Sequence, residues 1–188
     1  MTTAAEQDVI ELLLTQHNQI KDMFSQLGMA TGEQRRDLFE DLVRLLAVHE
    51  TAEEEVVHPL ARRRIESGDQ IIDARLHEEQ DAKQMLSDMY DKGIDAPTFE
   101  SDLTALRDAV IAHATHEENE EFPYLRQSVD PDQLRKMATA VRAAEATAPT
   151  RPHPSAQTAT ANVMLGPPLA VFDRMRDAFR GAREPGDG

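Results

Sequence analysis

The sequence predicts an all-α fold: an up-down-up-down four-helix bundle, a short fifth helix, and a flexible tail that ends in a short amphipathic helix. Residues with high helix propensity, chiefly Leu, Ala, Glu, Gln, Arg and Met, dominate the first 146 residues. Apolar residues recur there at helical spacing in four long segments. Short loops join these segments, which favours antiparallel packing of consecutive helices.

Each predicted helix has its own start or stop signal. A capping box formed by Thr31 and Gln34 begins the second helix. The sequence Ser-Gly-Asp at 67–69 ends that helix and caps the third, which Gly93 terminates. Pro97 is favourable in the first turn of the fourth helix. The predicted spans are about residues 8–27, 31–65, 70–91, 97–127 and 131–146.

Charge and proline content divide the chain near residue 147. Residues 1–146 carry 31 acidic and 15 basic residues, whereas residues 147–188 hold six of the ten prolines and are almost neutral. We therefore predict a globular domain over 1–146, and a Pro/Ala-rich linker with a terminal amphipathic helix over 147–188. That helix presents Phe172, Met175 and Phe179, and it either docks back onto the bundle or forms a homodimer contact.

Composition argues against several classes of function. The formal net charge of −15 disfavours nucleic acid and anionic membranes as partners, because both require a basic face. The chain has no Cys, which excludes disulfides, thiolate nucleophiles and iron–sulfur clusters. No apolar run approaches the roughly 20 residues of a spanning helix. The N-terminus lacks the pattern of a signal peptide, so the expected compartment is the cytoplasm.

Histidines and carboxylates form a repeated pattern on four helices. His49 and Glu53 are four residues apart on one helical face, and His113 and Glu117 repeat this spacing. A glutamate follows each pair directly, a proline comes five residues after that glutamate, and a lone histidine precedes each copy by 32 or 36 residues. This reads as a helical hairpin repeated twice, whose approximate twofold symmetry brings the copies together. The candidate metal ligands are His17, His49, Glu53, His77, His113 and Glu117.

This set of six side chains points to a dinuclear metal site. Two buried carboxylates without a cation are strongly unfavourable, and two divalent ions would offset that cost. Each ion would take two imidazoles, and the carboxylates would bridge the ions and leave open positions. Iron, manganese, zinc and cobalt all suit such ligands. Ferritin-like bundles use Glu-x-x-His and isolated Glu instead, so the site predicted here is richer in nitrogen.

Four segments carry a resemblance to a known family. They are QHNQI around His17, HETAEEEVVHP at 49–59, RLHEEQ around His77 and HATHEENEEFP at 113–123. Over about residues 8–145 the chain resembles the hemerythrin-like family, or HHE cation-binding domain, and its tail resembles those of some actinobacterial members. The resemblance implies that the six candidates bind a non-heme di-iron centre. Glu53, Glu117 and an oxo or hydroxo group would bridge its two irons.

One departure from that resemblance bears on function. Oxygen-carrying hemerythrins have two histidines on helix three and His-x4-Asp on helix four, whereas this chain offers only His77, between Asp73 and Asp81. One imidazole fewer leaves a more open iron, which disfavours a reversible oxygen carrier. Reaction with O2, H2O2 or NO in an oxidative or nitrosative stress response is favoured. An alternative is that the protein senses iron or oxygen.

Alternatives in other classes stay open. A catalase-like enzyme would disproportionate peroxide, with Asp73, Asp81 or Glu120 moving protons. A redox role would also involve a reductase that no motif identifies. A structural bundle would use its metal only for stability.

The remaining polar residues have simpler interpretations. His58 is assigned to packing or the surface, and His116 to a supporting or exposed position. Glu120 is either a solvated helix end or an acceptor beside the metal. The other acidic residues near the repeats are assigned to the charged outer face; they are Glu50, Glu54, Glu55, Glu118 and Glu121.

Overall fold

The computed structural model describes residues 7–147, and within them the prediction of an all-α bundle is confirmed. The predicted linker and terminal amphipathic helix lie outside the described residues. The elements are α1 (Val9–Met29), α2 (Gly32–Ala52), a first π turn (Glu53–Val57), α3 (His58–Arg64), α4 (Gly68–Lys92), α5 (Phe99–His116), a second π turn (Glu117–Glu121), α6 (Phe122–Ser128) and α7 (Pro131–Thr147).

The first π turn joins α2 to α3, and the second joins α5 to α6, so each group forms one continuous helical rod. The four rods of the bundle are therefore α1, α2–α3, α4 and α5–α6. The fifth helix, α7, packs against α1, α2 and the first π turn. Of the helices that the structure describes, none is long and apolar enough to cross a membrane.

Helix starts only partly follow the predicted signals. A capping box forms at the start of α1, where the Glu11 backbone N–H donates to Asp8 at 2.9 Å and the Asp8 N–H donates to Glu11. The predicted box at Thr31 and Gln34 is wrong, because within residues 7–147 the Thr31 side chain makes no capping bond. The helix α2 nevertheless begins at the next residue, Gly32. The Arg35 side chain in its first turn donates to the Ala30 carbonyl at 2.7 Å.

The apolar core consists of two clusters on either side of a polar layer. One cluster joins the start of α1 to α3, α6 and α7, and it contains the fully buried Leu13 and Leu125. The other joins the end of α1 to α2, α4 and α5, and it contains Leu42 and Leu106. Each of the four rods contributes buried polar side chains between its two apolar stretches. This polar layer includes His17, His49, Glu53, Glu79, His113 and Glu117.

Candidate metal centre

Two groups of side chains in the polar layer are close enough to share metal ions. Each residue of a group offers one ligand atom, and the ligand atoms of a group lie within 4.8 Å of one another. The first group is His17, His49, Glu53 and Glu117, and the second group is His58, Glu79 and Glu117. In the first group, His49 Nε2 lies 3.2 Å from Glu53 Oε2. In the second, His58 Nε2 lies 2.7 Å from Glu79 Oε1.

Glu117 belongs to both groups. Its Oε2 lies 3.3 Å from Nε2 of His17, which belongs to the first group. Its Oε1 lies 3.4 Å from Nε2 of His113, on the same rod. All three side chains are buried. The carboxylate of Glu117 would therefore offset the charge of a cation held by either group.

The two π turns bring these side chains together. After each His-x3-Glu pair the backbone widens, so that the N–H of His58 donates to the carbonyl of Glu53 and the N–H of Phe122 donates to that of Glu117. Both bonds span five residues instead of four. A proline is the second residue after each turn. Because proline lacks an N–H and its ring clashes with the carbonyl four residues back, a regular α-turn is disfavoured at these positions.

The first π turn also rotates His58 towards the centre. In an uninterrupted α-helix, His58 would point about 180° away from His49. The turn absorbs about one residue and reduces that angle to about 80°. The assignment of His58 to packing or the surface therefore missed its contacts. The buried ring of His58 lies between Glu79 and Glu121, with Nδ1 3.2 Å from Glu121 Oε1.

Three histidines of the centre are oriented by acceptors on their outer side. In each case Nδ1 lies within hydrogen-bond distance of a side-chain oxygen. The pairs are His17 with Glu118 at 3.0 Å, His49 with Gln16 at 2.9 Å, and His113 with Glu78 at 3.1 Å. When Nδ1 donates to these oxygens, Nε2 keeps its lone pair and directs it at the carboxylates of the centre.

Six buried atoms of the centre have no hydrogen-bond partner among the described residues. They are Nε2 of His17 and His113 and both carboxylate oxygens of Glu53 and Glu117. Burial and the neighbouring Glu117 raise the pKa of Glu53 well above its ordinary value. Burial and the adjacent His17 lower the pKa of His49 to about 3. Buried acceptors that face one another without a donor are unfavourable, and a bound cation would offset that cost.

The structure brings five of the six candidate ligands together and corrects the sixth, His77. The His77 side chain is 79% exposed and lies 3.7 Å from the exposed Asp81. The inward face of α4 is formed by other residues, namely Ile72, Arg75, Glu79, Ala82 and Leu86. Glu79 is two residues from His77 and therefore points about 200° away on the helix. A glutamate thus occupies the position that the repeat pattern assigned to a histidine.

The proposed proton-moving residues also lie away from the centre. Asp73 is exposed and forms an ion pair with Arg62, and Glu120 is exposed and contacts Arg75. His116 is partly exposed, and its Nδ1 lies 2.9 Å from Glu78, the same residue that contacts His113. This position agrees with the supporting or exposed role predicted for His116.

Several glutamates assigned to the outer face are buried instead. Glu50, Glu54 and Glu121 are almost inaccessible to solvent, whereas Glu55 is partly buried. Glu121 contacts the buried His58. For Glu50 and Glu54 the reason is instead a buried cation: Lys83 Nζ contacts Glu54 directly and lies 3.7 Å from Glu50 and 3.4 Å from Glu79. Burial lowers the pKa of Lys83, but these carboxylates raise it by more than burial lowers it, so the ammonium group stays charged. The i, i+4 spacing of Glu79 and Lys83 on an apolar face was the available signal in the sequence.

Comparisons with known proteins agree with this site. The model of the hemerythrin HHE cation binding domain matches residues 8–125. A DNA nickase of Nostoc sp. is 30% identical over 141 residues, which are 74% of this chain and 38% of that protein. An uncharacterized hemerythrin-like protein of Schizosaccharomyces pombe is 28% identical over 134 residues, which are 70% of this chain and 66% of that protein. The chain therefore spans less than two thirds of the length of either relative.

A solved structure shows the same fold. It is a hemerythrin HHE cation binding domain-containing protein from Mycobacterium kansasii, with a TM-score of 0.65 and 21% sequence identity. The match covers 74% of this chain and 88% of that one.

Proposed function

Because the chain belongs to the hemerythrin HHE cation-binding family, we propose that its polar layer binds two iron ions that react with O2, H2O2 or NO. One observation carries this proposal: six buried imidazole and carboxylate atoms converge without a hydrogen-bond partner among the described residues. A site of nitrogen and carboxylate oxygen, without thiolate, suits iron in a mixed imidazole and carboxylate environment.

The contacts support one position for each ion. The first would lie among His17, His49, Glu53 and Glu117. The second would lie among His58, Glu79 and Glu117, with His113 beside it, 3.4 Å from Oε1 of Glu117. This arrangement replaces the helix-three histidine of the sequence prediction with a carboxylate from α4 and an imidazole from α3.

When bound, two irons would supply a pair of electrons to a small oxidant or a binding position for a diatomic gas. The chain contributes the environment. Glu53 and Glu117 offset the charge of the ions, and Gln16, Glu78 and Glu118 hold three imidazoles with Nε2 facing inward. The apolar clusters on both sides keep bulk water from the polar layer.

Peroxide disproportionation is supported by one further observation, the charged network beside the second position. Burial and the adjacent Lys83 act in opposite directions on the pKa of Glu50, and burial prevails, raising it to about 7. A carboxyl group with such a pKa can hold or release a proton near neutral pH. Converting two H2O2 into two H2O and one O2 requires proton transfer between the reactants, which buried carboxyl groups of this kind favour.

Metal analysis tests the proposal directly. We expect about two irons per chain after anaerobic loading with Fe(II), measured by elemental analysis. The variant Glu79→Gln weakens the second position and is expected to retain about one iron, whereas the control His77→Asn on the same helix retains two. Circular dichroism establishes that both variants fold. Absence of iron uptake by the wild-type chain, or loss of iron in His77→Asn alone, would contradict the proposed centre.

Oxygen evolution and spectral changes separate the reactants. Oxygen release from added H2O2 by the iron-loaded chain would support the catalase-like enzyme. A stable spectral change with NO or O2, without turnover, would support binding or sensing. If removal of the metal lowers only the melting temperature, the structural interpretation is favoured.

A further inference from the structure

A small cavity lies beside the imidazoles of the centre. It lies between α1, α2 and α5 and has a volume of about 10 Å³, which is room for about one water molecule. His17, His49 and His113 all line it, and these histidines are buried. Lys21 and Ile111 also line it, and both are partly exposed. The cavity is therefore lined both by two partly exposed residues, which form its rim, and by three of the inferred metal ligands.

The walls between rim and histidines are mostly apolar. Ile20 of α1, Leu46 of α2, and Val110 and Ala114 of α5 contribute to them, and all four side chains are buried. Among the described residues, Glu50 is the one carboxyl group in the lining, and it is buried as well. The exposed surface of the cavity is apolar, so passage depends mainly on size.

A charged contact marks the rim. Lys21 Nζ donates to Oε1 of Glu118 at 3.1 Å, and the same oxygen accepts from His17 Nδ1 at 3.0 Å. Lys21, the only lysine or arginine in the described lining of this cavity, is therefore paired with a residue that also orients a histidine of the centre. A neutral rim above apolar walls fits uncharged reactants better than anions.

We propose that this cavity is the entrance to the metal centre, and that Val110 and Ala114 restrict it to small uncharged molecules such as O2, NO and H2O2. The inference rests on the proposed function, because it assumes a reactive metal against these histidines. It adds the route of entry and the size limit, which exclude alkyl hydroperoxides and other bulky oxidants.

Two matched variants test the size limit in the iron-loaded protein. Val110→Ala widens the proposed entrance, whereas Val43→Ala makes the same truncation in the same apolar cluster without lining the cavity. Stopped-flow absorbance follows oxidation of the Fe(II)-loaded chain by H2O2 and by tert-butyl hydroperoxide. In either reaction two Fe(II) ions donate two electrons and the O–O bond breaks. With two protons, H2O2 gives two waters, and tert-butyl hydroperoxide gives one water and tert-butanol.

We expect Val110→Ala to raise the rate with tert-butyl hydroperoxide relative to H2O2 by about tenfold or more, as is typical when methyl groups limit an apolar pocket. Val43→Ala should leave this ratio unchanged, and Ala114→Val should slow the reaction with H2O2. The proposed entrance is wrong if the rate with tert-butyl hydroperoxide relative to H2O2 is the same in Val110→Ala, Val43→Ala and wild type at equal iron content.

A measurement without metal separates this inference from the proposed function. Xenon occupies dry apolar cavities of sufficient size. In crystals of the metal-free chain under xenon pressure, Val110→Ala should show xenon against His17, His49 and His113, and Val43→Ala should not show it at that place. Absence of xenon there in Val110→Ala would overturn the inference even if iron binds. Failure to take up iron, with xenon present, would contradict only the proposed function.

Discussion

Metal binding to this centre should release protons, because two of its groups hold protons in the metal-free protein. Burial lowers the pKa of His113, but Glu117 and Glu78 raise it well above the ordinary histidine value. Burial and the adjacent Glu117 raise the pKa of Glu53 well above the ordinary carboxyl value. A metal ion requires the neutral imidazole and the ionised carboxylate. Both groups therefore lose a proton when the ions bind.

The contacts give the magnitude. At a pH below their raised pKa values, His113 and Glu53 each supply one proton per chain. His58, whose pKa Glu121 and Glu79 raise against the effect of burial, adds a third if it binds the second ion. By linkage, each proton released makes the apparent affinity for the metal rise about tenfold per unit increase in pH, so release of two protons corresponds to about 100-fold per pH unit.

Calorimetric titration with Co(II), an air-stable substitute for Fe(II), measures this number. The observed heat is determined in several buffers with different ionisation enthalpies, and the slope of heat against buffer enthalpy counts the protons. His77→Asn is the control, because that exposed side chain lies outside the centre, and its slope should equal that of wild type. A slope of zero, or proton uptake on binding, would refute the assignment of His113 and Glu53 as protonated ligands.

Further predictions concern the metal-free protein and the surroundings of the centre. Glu53→Gln should raise the melting temperature of the metal-free chain near neutral pH, since it removes the cost of protonating a buried carboxyl group on folding, and it should abolish metal binding at the first position; a lower melting temperature would contradict this. The pKa of His49 is lowered to about 3 in the folded protein. As the pH falls below about 6.5, the unfolded chain therefore binds a proton at His49 before the folded chain does, and the free energy of unfolding decreases. His49→Gln should reduce this pH dependence of the free energy of unfolding, measured with urea. Gln16→Ala should weaken metal binding by about 10- to 100-fold, as measured by competition with a chelator. Leu13→Ala should lower the free energy of unfolding by about 2–5 kcal/mol. A decrease near zero would show that the apolar cluster around Leu13 is not well packed.

Regular helix geometry predicted most of the centre. His17 lies four residues after Leu13 and three before Ile20, both fully or almost fully buried, so its inward direction follows from helical spacing alone. The i, i+4 pairs gave Glu53 and Glu117 in the same way. The all-α fold and the short loops follow from propensity and from glycine and proline punctuation, which are local properties of the chain.

The residues that sequence analysis missed depend on departures from regular geometry. A π turn is not visible in helix propensity, and without it His58 points away from the centre. The proline after each His-x3-Glu pair was the available signal, because its missing N–H disfavours a continuous α-turn. His77 was assigned by residue type, although the apolar stripe of α4 runs through Glu79. The spacing of Glu79 and Lys83 indicates an inward Lys83. Burial of Glu50 and Glu54 nevertheless depends on their contact with Lys83 from another rod, and no local pattern encodes that tertiary contact.

The polar layer that separates the two apolar clusters has a consequence for the cooperativity of folding. With metal bound, ligands from all four rods are tied to one centre, so neither end of the bundle can open without breaking metal bonds. Without metal, the same layer is held by weaker contacts among its imidazoles and carboxylates, such as that between His113 and Glu117 at 3.4 Å, and the two ends are coupled mainly by the continuous helices. Amide hydrogen exchange should therefore show one cooperative unit in the loaded protein and two units of different stability in the metal-free protein, with the boundary at the layer of Glu53 and Glu117.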